Sequence, residues 1–410
     1  MQAVKALQEI YSSDALAGAV ASKNRAIKKT IITQLDAYGN ITIADLATDL
    51  NVSTPKITSL INELIQDNIL QDNGKLNSTG GRRANSYGLV ANACFFLGVD
   101  VKKYYVNIGL LDFSKNLVEL KEKIPYTLAN TPEALNQLID IIAGFISDLN
   151  INADTIIGIG VNLSGRINNN SGYSYSFFHF HEEPLSTTLE KAVGIPTFIE
   201  NDSRSMAYGE FCNGVVSTEK NVLFVNLDHG TGMGILIDGQ VYYGKSGFSG
   251  EFGHIPFYTN EIICSCGKKG CLETEVSGNA LLRRFKEKIA AGSVCNHVPA
   301  TANMDDLRIE TLIEAAKNED PLLVEILTEM GEKLGKALAV LINLFNPELV
   351  IIGGMLSETG DFLRLPARTA LNKYSLNLVN NDTQFKLSKL GELAGVYGAC
   401  LIARNKVMDL

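Results

Sequence analysis

The most informative part of this 410-residue chain is residues 250–273, which read GEFGHIPFYTNEIICSCGKKGCLE. This stretch holds one histidine and three cysteines: His254, Cys264, Cys266 and Cys271. One imidazole and three thiolates satisfy a closed tetrahedral zinc site, and the glycines between them let the chain fold around an ion. The cysteine spacing differs from that of a zinc ribbon, so spacing alone is also compatible with three reduced thiols.

Polar residues that suit a sugar stand upstream of this stretch. An apolar run ends in Asn201 and Asp202, whose amide and carboxylate can bond adjacent sugar hydroxyls, and Asp202 can accept a hydroxyl proton. Residues 228–234 read DHGTGMG, where the glycines leave backbone amides able to approach a phosphate or to turn tightly. A glycine-rich hairpin alone does not distinguish these two roles.

The region after residue 90 alternates buried strands with helices. The patterns predict a strand pair over 95–101 and 105–112, a helix over 132–149, a strand over 156–162 and a further strand pair from residue 222. Strands that alternate with helices in this way are typical of an α/β fold.

Taken together, the residues from Gly239 to Glu273 resemble the signature of the ROK family, named for repressor, open reading frame and kinase. The resemblance runs over residues 24–405 and implies a two-lobed, actin-like sugar-kinase fold. The lobes would span 91–200 and 201–410, with a C-terminal helix that returns to the first lobe. Residues 346–354 resemble the strand and Gly-Gly turn beside the family's adenosine site.

The same resemblance implies the ligands of this fold. Structural Zn²⁺ would be bound by the histidine and three cysteines of the opening stretch. A sugar would be bound by five residues: Asn201, Asp202, Glu251, His254 and Glu273.

Residues 100–104 bear on whether such a protein is an enzyme. Sugar kinases of the family carry Asp-x-Gly-Gly-Thr here, whereas this chain reads Asp-Val-Lys-Lys-Tyr. Two side chains replace two hydrogens where the backbone must approach ATP, which makes the phosphate turn sterically unfavourable. Asp228 adds an anion near the expected triphosphate. We therefore expect no catalysis; in the alternative, an ATP-dependent sugar kinase, Asp202 would be the base.

Residues 1–90 predict a winged helix-turn-helix of the α+β class. A helix over 26–38 stops at Gly39-Asn40, Thr42 opens a short second helix, and Ser53 or Thr54 caps a third. Asn73-Gly74 predicts a hairpin turn. The polar face of the third helix and the two wing arginines predict contacts to DNA: Ser53, Thr54, Lys56, Thr58, Asn62, Arg82 and Arg83. Winged helices also serve as protein-interaction modules, so a protein-binding role for residues 1–90 stays open beside DNA binding.

Charge separates the two regions. The chain carries 36 basic and 45 acidic residues, a formal charge of −9. Residues 1–90 hold nine of the basic and eight of the acidic side chains, so the acidity belongs to the remainder. No window approaches the roughly 20 apolar residues of a membrane helix. Seven cysteines are too sparse for a disulfide scaffold, and we expect a cytoplasmic protein.

The sequence therefore predicts a sugar-responsive transcriptional regulator. It resembles the winged-helix ROK regulators of the xylose and N-acetylglucosamine repressor type, so we expect a repressor of carbohydrate-utilisation genes. Its partners would be operator DNA, a sugar effector and a second copy of the chain, in a dimer or tetramer, because two-fold operators are read by two-fold proteins.

Overall fold

Two five-stranded sheets organise the chain. The computed structural model of the protein describes residues 2–12, 18–75, 84–180, 182–298 and 304–409. It divides into two compact units. The first unit consists of Met1–Asn162, Gly172–Ile199 and Ala399–Leu410, and the second consists of Leu163–Ser171 and Glu200–Gly398.

The first unit begins with a helix-turn-helix and a small sheet. Its first elements are α1 (Gln2–Tyr11), α2 (Ala19–Tyr38), β1 (Ile41–Thr42), α3 (Ile43–Asp49), α4 (Thr54–Gln66), β2 (Leu70–Lys75) and β3 (Asn85–Leu89). The three strands form an antiparallel sheet in the order β1-β3-β2. This arrangement agrees with the predicted winged helix-turn-helix.

Local sequence sets the helix starts in this part. The Thr42 hydroxyl accepts the Asp45 N–H at 3.2 Å and donates to the Asp45 carboxylate at 2.7 Å, so the residue caps α3. Ser53 precedes α4, and Pro55 lies in the first turn of that helix, where its missing N–H has no helical partner to lose. The helix predicted over 26–38 is longer than expected and begins at Ala19.

The predicted hairpin turn at Asn73-Gly74 is wrong. Both residues lie within β2, at an irregularity in its pairing with β3. The Asp72 carboxylate accepts the Gly74 N–H at 2.8 Å, and the Asn73 amide donates to the Asn40 side chain at 2.7 Å. These side-chain bonds hold the pair in a bulge. Residues 76–83, between β2 and β3 in sequence, lie outside the described residues.

The large sheet of the first unit follows. Its region contains β4 (Phe95–Val101), β5 (Tyr105–Asp112), β6 (Leu117–Pro125), α5 (Pro132–Asp148), β7 (Ile156–Leu163), β8 (Ile167–Asn168), β9 (Tyr173–Ser174), α6 (Leu185–Val193) and β10 (Thr197–Asn201). The sheet order is β10-β7-β4-β5-β6, with β4 antiparallel to β5 and parallel to β7. Every residue of β4 and β7 is buried, as their continuous apolar runs predict.

The second unit holds the other large sheet. Its elements are α7 (Asp202–Asn213), β11 (Val222–Leu227), β12 (Thr231–Ile237), β13 (Gln240–Val241), α8 (Gly278–Ala290), α9 (Ile309–Lys317), α10 (Pro321–Phe345), β14 (Leu349–Gly353), α11 (Asp361–Tyr374), α12 (Asn377–Asp382) and β15 (Gln384–Leu387). The sheet order is β13-β12-β11-β14-β15. A core of aliphatic residues from α8 to α11 packs on this sheet. Within the described residues no helix is long and apolar enough to cross a membrane.

The last helix belongs to both units. It is α13 (Leu393–Met408), and the division between the units falls within it, at Gly398 and Ala399. We call residues 1–90 the head.

Candidate functional site

The predicted histidine and cysteines come together in the second unit. The ligand atoms of His254, Cys264, Cys266 and Cys271 all lie within 4.8 Å of one another. His254 ends a short 3₁₀ turn, while Cys264 to Cys271 form a loop that pairs back through the isolated bridges Ile263–Lys269 and Pro256–Cys271. Gly267 and Gly270 take positive φ angles in this loop, which favours glycine there.

The cluster has the dimensions of a zinc site. Zn–S bonds of about 2.3 Å and Zn–N bonds of about 2.0–2.1 Å place tetrahedral ligand atoms roughly 3.6–3.8 Å apart. The Nδ1 of His254 lies 3.4 Å from the Sγ of Cys264, and the sulfurs of Cys266 and Cys271 are 3.6 Å apart. One nitrogen and three sulfurs at these separations fit Zn²⁺.

The thiols of the cluster differ in acidity. Burial and, to a smaller extent, the neighbouring Cys266 and Cys264 thiols raise the pKa of Cys271 to about 12. Burial also acts to raise the pKa of Cys266, but the Lys268 backbone N–H and the neighbouring thiols lower it overall. Because zinc binds thiolates, a bound ion would replace the protons that these crowded sulfurs otherwise retain.

Sequence neighbours of the predicted sugar-binding residues contact the start of β12. A Cβ on Gly232 would lie 2.2 Å from the Ser203 hydroxyl, and a Cβ on Gly253 would lie 2.1 Å from the Thr231 carbonyl. Ser203 follows Asp202, and Gly253 stands between Glu251 and His254 in sequence. The first turn of α7 and the segment with Glu251 and His254 therefore both contact residues 231–232.

Asn201 and Asp202 form the N-terminal cap of α7. The side-chain Oδ1 of Asn201 accepts the Arg204 N–H at 3.1 Å, and the side-chain amide donates to the Gly165 carbonyl and to the Asp202 carboxylate, each at 3.0 Å. Oδ1 of Asp202 also accepts the Ser203 N–H at 2.7 Å. These bonds fix the directions of an amide and a carboxylate at a helix N-terminus, where a negative charge is stabilised.

His254 links the cysteines to a carboxylate. While Nδ1 faces Cys264, Nε2 lies 3.7 Å from Oε2 of Glu251, and the two side chains are 30% and 39% exposed. This exposure leaves both groups within reach of a ligand. One nitrogen of the imidazole therefore faces the cysteines, and the other faces Glu251.

Glu273 connects the cysteine loop to the glycine-rich turn. Its Oε2 accepts the Thr231 N–H at 3.0 Å, and its Oε1 accepts the Ser265 hydroxyl at 3.0 Å and lies 3.5 Å from the Cys264 sulfur. A Cβ on Gly230 would lie 2.5 Å from this carboxylate, so a side chain at this position would force the carboxylate to move. These contacts were not predicted from the sequence.

A buried ion pair beneath Asn201 was not predicted from the sequence. The Arg204 Nε donates to Oε1 of Glu200 at 2.7 Å, its Nη2 donates to the Ile167 carbonyl at 3.1 Å, and the guanidinium stacks over Tyr243. Glu200 also accepts the Asn201 N–H at 2.7 Å. Burial raises the pKa of Tyr243, and the Glu200 charge raises it further. The available signal was a charged residue on each side of the Asn-Asp pair.

Residues 100–105 form a tight turn in the first unit. β4 ends at Val101, and the Lys102 N–H donates to the Tyr105 carbonyl at 2.9 Å. The Lys102 ammonium lies 3.3 Å from Oδ2 of the fully buried Asp100, and Lys102 itself is 9% exposed. The first lysine of this turn is therefore paired inside the protein.

The predicted DNA-contact residues of the third helix share one face of α4. Ile57, Leu60, Ile61 and Leu64 are buried, whereas five polar residues are exposed or half-buried: Ser53, Thr54, Lys56, Thr58 and Asn62. We call these five the recognition face. Arg82 and Arg83 lie outside the described residues.

Comparison with known families agrees with this geometry. The profile of the ROK family matches residues 96–406. The chain belongs to the ROK family. A profile described as the PCI domain also matches residues 7–82, which overlap the head.

This ROK protein is similar along most of its length to transcriptional regulators. It is 29% identical to the DNA-binding transcriptional dual regulator NagC of Escherichia coli over 373 residues, 90% of each chain. It is 28% identical to the xylose repressor of Bacillus subtilis, over 88% of this chain and 90% of that one.

Solved structures of a regulator and of a kinase match this chain to different extents. A ROK family transcriptional regulator, a homologue of the E. coli MLC protein, superposes with a TM-score of 0.78 at 28% identity and covers 93% of this chain and 96% of its own. A ROK glucokinase from Streptomyces griseus, in complex with glucose and AMPPNP, has a TM-score of 0.66 at 26% identity. That kinase is covered over 99% of its length but matches only 76% of this chain.

Proposed function

We propose that this ROK protein is a sugar-responsive transcriptional repressor. One observation carries the proposal: a helix-turn-helix head and a polar site of the ROK kind occur in one chain, and regulators match that chain over about nine-tenths of its length. The glucokinase matches about three-quarters of it. The head at residues 1–90 would bind operator DNA, and residues 91–200 and 201–410 would form the two sugar-binding lobes.

The sugar would be bound where α7, β12 and the segment with Glu251 and His254 meet. Asn201, Asp202 and Glu251 offer an amide and two carboxylates, which together match the donors and acceptors of neighbouring hydroxyls. His254 adds its Nε2, and Glu273 holds the adjacent turn through Thr231. A polar, hydroxyl-rich ligand fits this donor and acceptor set better than an apolar one does.

Zn²⁺ would be the structural cofactor. Bound by His254, Cys264, Cys266 and Cys271, it would hold the 264–271 loop closed and restrain the His254 ring, whose other nitrogen faces Glu251. Glu273 touches both Cys264 and Thr231, so the same loop supports the turn beside the sugar. Loss of the metal would therefore loosen the sugar site directly.

The recognition face would enter the major groove, with the arginines 82 and 83 on the backbone or minor groove. Short polar side chains, one lysine and one asparagine are suited to base edges and phosphates. Two heads in a dimer, or four in a dimer of dimers, would read the two half-sites of an inverted repeat.

The protein would be a regulator without catalysis. Lys102 is already paired with Asp100 inside the turn where kinases of the family approach ATP with glycines, so its charge is engaged by the protein itself. Asp202 would then accept a sugar hydroxyl without removing its proton. The second candidate function, an ATP-dependent sugar kinase, is favoured by the glucokinase similarity and by the presence of Asp202.

A selection experiment tests the proposal. Sheared DNA from the source genome is captured on the purified protein, and the bound fragments are challenged with pentoses, hexoses, N-acetylhexosamines and their phosphate esters. We expect specific fragments to be enriched and one sugar class to release them. Enrichment no greater than on an unrelated acidic protein would refute it. ADP release near one turnover per second with any of these sugars would instead establish the kinase.

A further inference from the structure

The helix α13 makes close contacts at both of its ends. At its start, a Cβ on Gly398 would lie 1.9 Å from the Ser205 carbonyl oxygen, and a Cβ on Gly209 would lie 2.3 Å from the Ala394 carbonyl oxygen. The backbones of α7 and α13 therefore touch with no side chain between them. α7 is capped by Asn201 and begins at Asp202. Because α7 and α13 are in direct backbone contact, a movement of α7 that follows sugar binding at these two residues would also move the start of α13.

The middle of α13 is packed as closely in the first unit. A Cβ on Gly160 of β7 would lie 2.0 Å from the Ala399 carbonyl oxygen, and the Cys400 sulfur lies 3.6 Å from the Gly109 carbonyl. Both neighbours belong to the buried sheet. This stretch of α13 therefore packs directly on two strands of that sheet, once backbone to backbone and once through the small Cys400 side chain.

The end of α13 meets the head through a buried ion pair. The Arg404 side chain is 2% exposed, and its Nη2 lies 2.8 Å from Oδ1 of Asp36 in α2. Lys115, in the β5–β6 turn, contacts the same carboxylate oxygen at 3.0 Å and donates to the Asp36 carbonyl at 3.2 Å. The Arg404 guanidinium also stacks over Phe113. The half-buried Asp36 carboxylate is therefore held by two cations, one from α13 and one from the β5–β6 turn.

Asp36 lies near the end of the helix that supports the recognition face. Ile31, Ile32 and Leu35 of α2 are buried in the head, and the Lys28 ammonium lies 2.9 Å from Glu63 of α4. A movement of Asp36 therefore carries α2 with it, and α2 carries α4. α13 is one continuous helix: its start packs on α7, and its end bonds Asp36 of α2 through Arg404.

We propose that Arg404 and Asp36 are positioning residues that transmit the sugar-bound state to the DNA-binding head. This inference rests on the proposed function and adds the route by which the sugar site acts. When a sugar reorients α7, α13 moves with it, and the Asp36–Arg404 pair converts that movement into a new position of α2. Loss of the pair uncouples the two events while both binding sites persist.

The test compares Arg404→Gln and Asp36→Asn with Lys121→Gln, which removes an exposed ion pair to Asp148 in the same unit. N-acetylglucosamine, xylose and glucose are the probes. Operator-fragment affinity is measured with and without each probe, and probe affinity is measured by calorimetry. Wild type and Lys121→Gln should lose DNA affinity by the same factor, within the roughly 5–150-fold range of allosteric coupling. The two junction variants should bind the probe within about twofold of wild type yet release DNA less than about threefold.

Two results separate the inference from the proposed function. A wild-type protein that no probe releases from DNA overturns the proposed function, and this inference with it. A normal wild-type response together with full release from a folded Arg404→Gln protein overturns the inference alone.

Arg404→Lys provides a second variant for the case in which Arg404→Gln does not fold. Arg404→Lys keeps the positive charge but loses the planar guanidinium. The factor by which a probe weakens its DNA binding should therefore lie between those of wild type and Arg404→Gln. Hydrogen exchange of residues 19–66 adds an independent readout. The probe should change the exchange rates in wild type, should change them less in Arg404→Lys, and should leave them unchanged in Arg404→Gln. An unchanged exchange response in Arg404→Lys with a full release factor also refutes the inference.

Discussion

Replacing Arg204 by methionine should destabilise the second unit and disable its sugar site. Arg204 is 2% exposed, and its partner Glu200 is 1% exposed. Removing one member of a buried pair leaves an uncompensated charge, at a cost of about 3–5 kcal/mol. The Ile167 carbonyl loses its donor as well, and Glu200 no longer has the cation that orients it toward the Asn201 N–H.

The assay is urea unfolding followed by far-ultraviolet circular dichroism, because the chain has no tryptophan. With a slope of about 3 kcal/mol per molar urea, the loss corresponds to a midpoint lower by about 1 M or more. The double variant Glu200→Leu, Arg204→Met should recover most of this loss, since an apolar pair has no buried charge to desolvate.

The matched control is Arg364→Met, which removes an arginine bonded to Asp361 on the surface of α11. An exposed pair of this kind contributes only about 0.2–1 kcal/mol. If Arg204→Met lowers the midpoint no more than Arg364→Met does, the buried pair does not have the role assigned to it, and the account of how Asn201 is held must be abandoned.

Three further outcomes are expected. Cys266→Ala should lower bound zinc, measured by atomic emission, and weaken sugar-dependent DNA release more than it lowers the melting temperature; full release at the normal sugar concentration would contradict the supporting role of the metal. Burial acts to raise the pKa of Glu219, but hydrogen bonds from the backbone N–H groups of residues 217–219 and from Lys386 lower it overall to about 2. The ionised Glu219 carboxylate therefore stabilises the fold above pH 4.5, and this contribution is lost as pH falls toward 2. Glu219→Gln should therefore flatten urea midpoints over that window, by at most about 3 kcal/mol, and a slope like that of wild type would refute this. Lys56→Ala should weaken DNA binding and reduce the salt slope by about one, whereas Asn62→Ala should alter sequence preference at an unchanged slope; equal slopes in both would count against the recognition face.

Several features could be predicted because they depend on neighbours in sequence. The strands 95–101 and 105–112 follow from runs that are apolar except at Asp100, Asn107 and Asp112, as expected for strands of a buried sheet. Thr42 caps α3 through Asp45, three residues away. The cysteine loop closes on itself, so residue types and spacing were enough to group its three thiols with His254.

Asn73-Gly74 shows where local signals fail. The pair has the intrinsic preference of a turn, but Asn40, which lies outside the hairpin, bonds Asn73 and holds it within a strand. A contact across thirty-three positions cannot be read from a dipeptide preference.

Sequence by itself determined the α/β class, the helix-turn-helix and the grouping of His254 with the three cysteines, because each depends on periodicity or on short-range spacing. Tertiary structure decided which polar groups share a partner. Glu273 bonds Thr231 across 42 positions, Arg204 bonds the Ile167 carbonyl across 37, and Arg404 reaches Asp36 from the far end of the chain. Such pairings depend on where the strands and helices pack, and a buried charge takes whichever partner the packing brings within reach.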